Sequence, residues 1–126
     1  MSGASTPSPD RRGLGAAGEA IAATYLADLG MQIVARNWRC TLGEIDLVAR
    51  EGDQIVFVEV RTRRGTAPPT ESITVTKQQR MRLTAFTYLN THNLLNVDWR
   101  IDVIAITMPR DNTAPLIEHL PYAVGE

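Results

Sequence analysis

The feature that most narrows what this chain can fold into is a short hairpin that carries acids on one side. Glu44-Ile45-Asp46-Leu47-Val48-Ala49-Arg50 and Ile55-Val56-Phe57-Val58-Glu59-Val60-Arg61 both have strand composition, and Glu51-Gly52-Asp53-Gln54 lies between them. Gly52-Asp53 suits a two-residue turn, because glycine at the first central position takes positive φ without steric cost. A turn there pairs Arg50 with Ile55, Val48 with Phe57, Asp46 with Glu59 and Glu44 with Arg61. The alternate pairs, Ala49 with Val56, Leu47 with Val58 and Ile45 with Val60, are wholly apolar and predict a buried face. On the other face Asp46 is expected directly opposite Glu59, with Cβ atoms roughly 4.5–5.5 Å apart. Like charges in that relation destabilise a sheet unless something neutralises them, and a divalent cation is the simplest candidate.

The rest of the chain supplies layers for such a sheet. Leu14, Ala17, Ile21, Tyr25 and Leu29 recur at helical spacing, and Gly30 is a natural stop, so a helix is expected over about Leu14 to Leu29. Glu19 lies off that stripe. Met31 to Arg39 predicts a strand leading into the hairpin. Arg64-Gly65-Thr66-Ala67-Pro68-Pro69-Thr70 has the punctuation of a surface loop and is the segment expected to move most. A second helix should begin near Thr76, with Thr76 and Gln79 as a capping box and Met81, Ala85, Tyr88 and Leu89 as its packing stripe, extended by Gln78. Trp99 to Met108 is apolar on both faces, as a central strand is, and the tail from Leu116 suits a short edge strand. The order α-β-β-β-α-β predicts an α/β class with a small mixed β-sheet flanked by helices.

At 126 residues the chain has the length of one domain, expected over residues 14–126. Residues 1–13 are rich in Ser, Pro and Gly and predict a disordered N-terminal tail; they lack the basic and apolar regions of a secretory signal. No apolar run is long enough to span a bilayer, which argues against a membrane protein. Cys40 is the only cysteine, which excludes an intrachain disulfide and fits a reducing cytoplasm. It has no partner for a nucleophile role, since no motif places His92 or His119. Net charge is −1, yet Arg61, Arg63, Arg64, Lys77, Arg80 and Arg82 fall in one stretch interrupted only by Glu71. That stretch suits either a local basic patch for nucleic acid or a solvated helix face with a polar loop.

A metal-dependent phosphodiesterase needs acidic oxygens to hold Mg²⁺ (or Mn²⁺), and a cation near the attacking water. Asp46 and Glu59 are the candidate ligands, and Arg61, two residues beyond Glu59, should point to the same face. Glu19 could reach in from the first helix to hold a water or a second ion. Simpler roles exist for each: a Glu44–Arg61 salt bridge, a solvated Glu19, and two carboxylates facing water at a cost of about 1 kcal/mol or less. Asp102, after Arg100, suits a structural arginine partner. Lys77 and Gln78 open the second helix, where backbone N–H groups favour phosphate.

Gly18-Glu19, Arg36-Asn37, Gly43-Glu44-Ile45-Asp46-Leu47-Val48, Phe57-Val58-Glu59-Val60-Arg61-Thr62-Arg63, Thr76-Lys77-Gln78-Gln79-Arg80 and Arg100-Ile101-Asp102-Val103 occur in this order. Together they resemble the bacterial YraN family, which is similar to Holliday-junction resolvases and the PD-(D/E)XK nuclease-like superfamily. The likeness covers roughly residues 11 to 122. It implies a restriction-endonuclease-like core and a Mg²⁺-dependent endonuclease-like activity on DNA, with branched DNA among the substrates. It further implies metal held by Asp46, Glu59 and the Val60 carbonyl, with Glu19 as an accessory acid. Arg63, Lys77, Gln78 and Arg80 would lie along the nucleic acid, and resolvase-like folds offer a homodimer by analogy. Arg61 stands where the family usually has lysine. Arginine keeps the charge but is effectively never deprotonated, so a catalytically impaired nucleic-acid-binding module is the alternative expectation.

Overall fold

Strands that are apolar on both faces need a covering layer on each side. A computed structural model of the chain has that arrangement; it describes residues 9–65, 73–111 and 113–124, with the backbone alone for 9–12. Helix α1 (Pro9–Asp28) is followed by β1 (Gln32–Cys40), β2 (Gly43–Glu51), β3 (Gln54–Arg64), α2 (Val75–Thr91), β4 (Trp99–Met108) and β5 (Leu116–Val124). The five strands form one sheet in the order β1-β2-β3-β4-β5. All neighbours are antiparallel except β3 and β4, which run parallel and are joined by α2 as a crossover. This is a mixed sheet with a helix on each side, as expected for a restriction-endonuclease-like core.

On one face α1 lays Ala22, Ala23 and Leu26 over Leu47, Ala49, Val56, Val58, Ile104 and Ile106. On the other, α2 lays Ala85, Tyr88 and Leu89 over Val48, Ile55, Phe57 and Ile101. The β2–β3 hairpin has the expected register from Glu51↔Gln54 to Leu47↔Val58, and Gly52 takes φ +59° in its turn. Helix α1 starts at Pro9, ahead of the expected Leu14, and the expected tail over residues 1–8 lies outside the described residues. So does most of the expected mobile loop. β5 is nine residues long and closes the sheet beside β4. Among the described residues no helix is long and apolar enough to cross a membrane.

Asp102 on β4 is fully buried and binds several partners. Arg100 Nε donates to its Oδ1 at 3.0 Å, and the Tyr122 N–H donates to the same oxygen at 3.0 Å. His119 Nε2 lies 2.8 Å from Oδ2. A carboxylate only accepts, so Nε2 carries a proton, and Nδ1 lies 3.2 Å from the Tyr25 hydroxyl. Burial works against the charge on Arg100, but its hydrogen bond and ion pair with Asp102 outweigh this and raise its pKa. Asp102 is therefore the arginine partner that its sequence position suggests, and it also anchors a histidine that no sequence pattern places. Asp102→Ala would strand Arg100 and His119 in the interior. Urea unfolding should show a loss of about 3–5 kcal/mol; a loss under 1 kcal/mol would mean that the network is not holding β5 to β4.

Candidate metal and nucleic-acid site

The β2–β3 ladder runs only as far as Leu47↔Val58. Beyond it the strands part, and the Asp46 side chain fills the gap: its Oδ2 accepts the Val60 N–H at 2.8 Å. Asp46 thus replaces a main-chain acceptor rather than standing opposite Glu59 as a ladder partner. This corrects the expected pairs Asp46–Glu59, Ile45–Val60 and Glu44–Arg61. Beyond the last pair β2 also changes its facing. Ile45 packs with Val48 and Phe57 on the α2 side, whereas Leu47 packs on the α1 side. Glu44 meets Arg39 of β1, 3.6 Å away at the surface.

The opening leads into a cleft of about 520 Å³ whose lining includes Glu44, Asp46, Glu59, Val60, Lys77, Arg80 and Thr84. One wall is the parted end of the sheet, and the other is the first turns of α2. Thr74, not the expected Thr76, caps this helix, its hydroxyl accepting the Lys77 N–H at 3.1 Å. Lys77 lies in the first turn that follows, and its Nζ sits 2.8 Å from Glu59 Oε2. Gly43 lets the β1–β2 turn close on α2, where a Cβ would stand 2.9 Å from Thr84 Oγ1. On the other face Gly18 does the same for α1. A Cβ there would run into Thr62, so only glycine lets α1 cross β3 closely enough to bring Glu19 near the site.

Burial raises the Asp46 carboxyl from its ordinary 3.8 to about 7. The Val60 amide opposes that rise, and the charges of Glu59, Glu19 and Glu44 add to it. Among the described residues the Val60 amide is the donor that reaches this carboxyl, at Oδ2. Asp46, Glu59 and Val60 line one cleft, and carboxylate and carbonyl oxygens are ligand types that Mg²⁺ takes. The Lys77 ammonium already brings a positive charge to Glu59. No group of three or more His, Cys, Asp or Glu side chains among the described residues forms a cage by itself. Mg²⁺ commonly uses one or two carboxylates and completes its shell with water or phosphate oxygens.

The remaining sequence candidates are scattered around this centre. Arg80 lines the cleft beside Lys77. Gln78 turns back on its own helix start, donating from Nε2 to the Ile73 carbonyl at 2.8 Å. Arg61 and Arg63 follow Glu59 along β3, are half-buried, and are not among the described residues lining the cleft. Asn37 was passed over by reasoning from charge, although its place in the Arg36-Asn37 motif could have drawn notice. With its amide nitrogen toward the acids, it lies 3.1 Å from both Glu19 and Glu44.

The raised carboxyl has a measurable consequence. In the unfolded chain Asp46 loses its proton near pH 4, whereas the folded protein keeps it up to about 7. Between these values the native state binds more protons. The stability this contributes is therefore full below pH 4 and is lost as pH rises through 7. Asp46→Asn cannot ionise, so in chelator the wild type should fall relative to it by on the order of a few kcal/mol from pH 4 to 7.5. A difference in urea-unfolding energy that stays flat over this range would contradict the burial effect.

The profile of the uncharacterised protein family UPF0102 matches residues 18–106. A UPF0102 protein of Chloroflexus aurantiacus (strain J-10-fl) is 55% identical over 121 residues, covering 95% of this chain and 98% of its own. One from Roseiflexus castenholzii is 50% identical over 119 residues, covering 92% of this chain and 96% of its own. One from Nocardia farcinica is 46% identical over 113 residues, covering 88% of each. The matched span holds Glu19, Asp46, Glu59 and Lys77. The chain belongs to the UPF0102 family, the YraN group of PD-(D/E)XK nuclease-like proteins.

Proposed function

We propose that this protein is a Mg²⁺-dependent endonuclease-like enzyme acting on DNA phosphodiester bonds, branched DNA included. The observation that carries this reading is the meeting, in one cleft, of the Asp46 and Glu59 carboxylates with the Lys77 ammonium. Asp46, Glu59 and the Val60 carbonyl would hold the ion. When bound, the ion polarises the phosphate and makes an attacking water more acidic. Lys77, relieved of Glu59, reaches the phosphate at the start of α2, where the helix N-terminus also favours negative charge. Arg80 extends the contact along the backbone, with Arg63 and Gln78 further out. Arg61 adds positive charge on the β3 side, and Glu19 orients a water. A reducing, cytoplasmic setting agrees with the lone Cys40.

A second reading, a nucleic-acid-binding module with an impaired site, is favoured by one observation. Arg61 stands where the family usually has lysine, and the cleft lining includes Lys77 rather than Arg61. Linear and branched DNA incubated with Mg²⁺ or Mn²⁺ separates the two. Cleavage that disappears in Asp46→Ala and Glu59→Ala supports the enzyme. Salt-sensitive binding without cleavage, with cleavage appearing in Arg61→Lys, supports the module.

Metal binding can be followed apart from cleavage. Mn²⁺ should raise the melting temperature of the wild type by mass action, and neither alanine variant should respond. The rise should be larger at pH 8 than at pH 6, because the ion needs the ionised Asp46 carboxylate. Lys77→Met removes the ammonium that competes for Glu59. It should tighten Mn²⁺ binding roughly fivefold, about 1 kcal/mol for a half-exposed pair, while slowing cleavage. Weaker Mn²⁺ binding in this variant would contradict the competition.

A further inference from the structure

Asn37 has no part in the reading above, yet three observations converge on it. First, β1 pairs Arg36 with Leu47 and Trp38 with Ile45, so the register sets Asn37 across from Asp46. Second, its backbone is left-handed, with φ +52°, in the middle of a strand. Few residues other than glycine adopt that conformation, and asparagine is among them. Third, its carboxamide lies between two acids from different elements, 3.1 Å from Glu19 Oε1 on α1 and 3.1 Å from Glu44 Oε2 on β2. A carboxamide has two N–H donors and can satisfy both; turned the other way, its oxygen would face two carboxylates.

We propose that Asn37 is a positioning residue, which donates one N–H to Glu19 and one to Glu44 and so holds the Glu19 carboxylate beside Asp46. This rests on the nuclease reading of the cleft and deepens it. Glu19 stands on a helix at the end of a flexible side chain, and Glu44, Asp46 and Glu59 all repel it. A tether at one oxygen keeps it from turning out to solvent and leaves Oε2 to accept a hydrogen bond from water. The tether must be neutral: lysine or arginine at this position would hold the acids equally well but would cancel the negative charge that attracts a cation.

Two variants separate this role from a purely structural one. Asn37→Gly keeps the left-handed backbone and removes both donors. Asn37→Asp tolerates the same backbone and puts a third negative charge between the two acids. Both should fold with melting temperatures near the wild type. Turnover should fall roughly ten- to hundredfold in Asn37→Gly and further in Asn37→Asp. In Asn37→Gly, KM for DNA and the Mn²⁺-induced rise in melting temperature should stay at wild-type values. The loss caused by Asn37→Gly should shrink to about twofold or less in a Glu19→Gln background, because the two residues act through one arrangement. Wild-type turnover in both single variants, or an undiminished loss in the Glu19→Gln background, overturns the proposal. If the wild type cleaves no DNA, the nuclease reading fails, and the tether is then decided by nuclear magnetic resonance. The Asn37 side-chain amide signals should shift in both Glu19→Ala and Glu44→Ala; signals unmoved in both overturn it.

Discussion

The Val60 amide and the Asp46 carboxylate meet at 2.8 Å where β2 and β3 part, and the arrangement of the candidate site follows from that bond. A sheet that opens leaves main-chain donors without acceptors, and a buried donor so stranded costs about 1–3 kcal/mol. Here a side chain supplies the acceptor, so the opening is tolerated, and the same residue lines the cleft that results. The protein repeats the device at the other end of the sheet, where Asp102 accepts the Tyr122 amide. The difference between the two is instructive. Asp102 is fully matched by Arg100, His119 and a backbone amide, and it works as a rivet. Asp46 has one donor and several like-charged neighbours, and it is left short of positive charge.

Each helix then brings one charged group to that deficit. Gly18 allows α1 to cross β3 closely, which delivers Glu19 from one face. Lys77, in the first turn of α2 capped by Thr74, arrives from the other. The two hydrophobic layers therefore do more than cover the sheet. They set the distance at which an acid and an amine approach the parted strands, and the precision of both depends on small residues at the crossing points. The mixed topology contributes as well. Because β3 and β4 run parallel, α2 must return along the sheet and its N-terminal turn ends beside the C-terminal half of β3, where Glu59 lies.

Much of this was legible in the residues. Two-sided apolar runs implied a covered sheet, Gly52-Asp53 set the hairpin register through Leu47 and Val58, and the order of elements followed from periodicity. The pairing of Asp46 with Glu59 could not be continued by counting, because period-two reasoning assumes an unbroken ladder, and a side chain that takes over a backbone bond leaves no trace in hydropathy. The start of α2 is hard to place for a related reason: Thr74 and Thr76 are equivalent as isolated capping residues, and only the fold selects Thr74. The His119 and Asn37 contacts join side chains of different elements, and no periodicity in a single sequence sets which side chains meet across elements.

The two outer strands share a property that bears on how copies of this chain can meet. β1 has a bulge between Ile33 and Ala35 and a left-handed residue at Asn37. β5 has Pro121 at its bend and a left-handed Tyr122. A strand docking from outside needs an even row of amides and carbonyls, and neither rim offers one. Growth of the sheet from molecule to molecule is thereby discouraged at both ends, which guards a protein with so β-rich a centre against aggregation. Self-association, where it occurs, is expected through helix or loop surfaces instead.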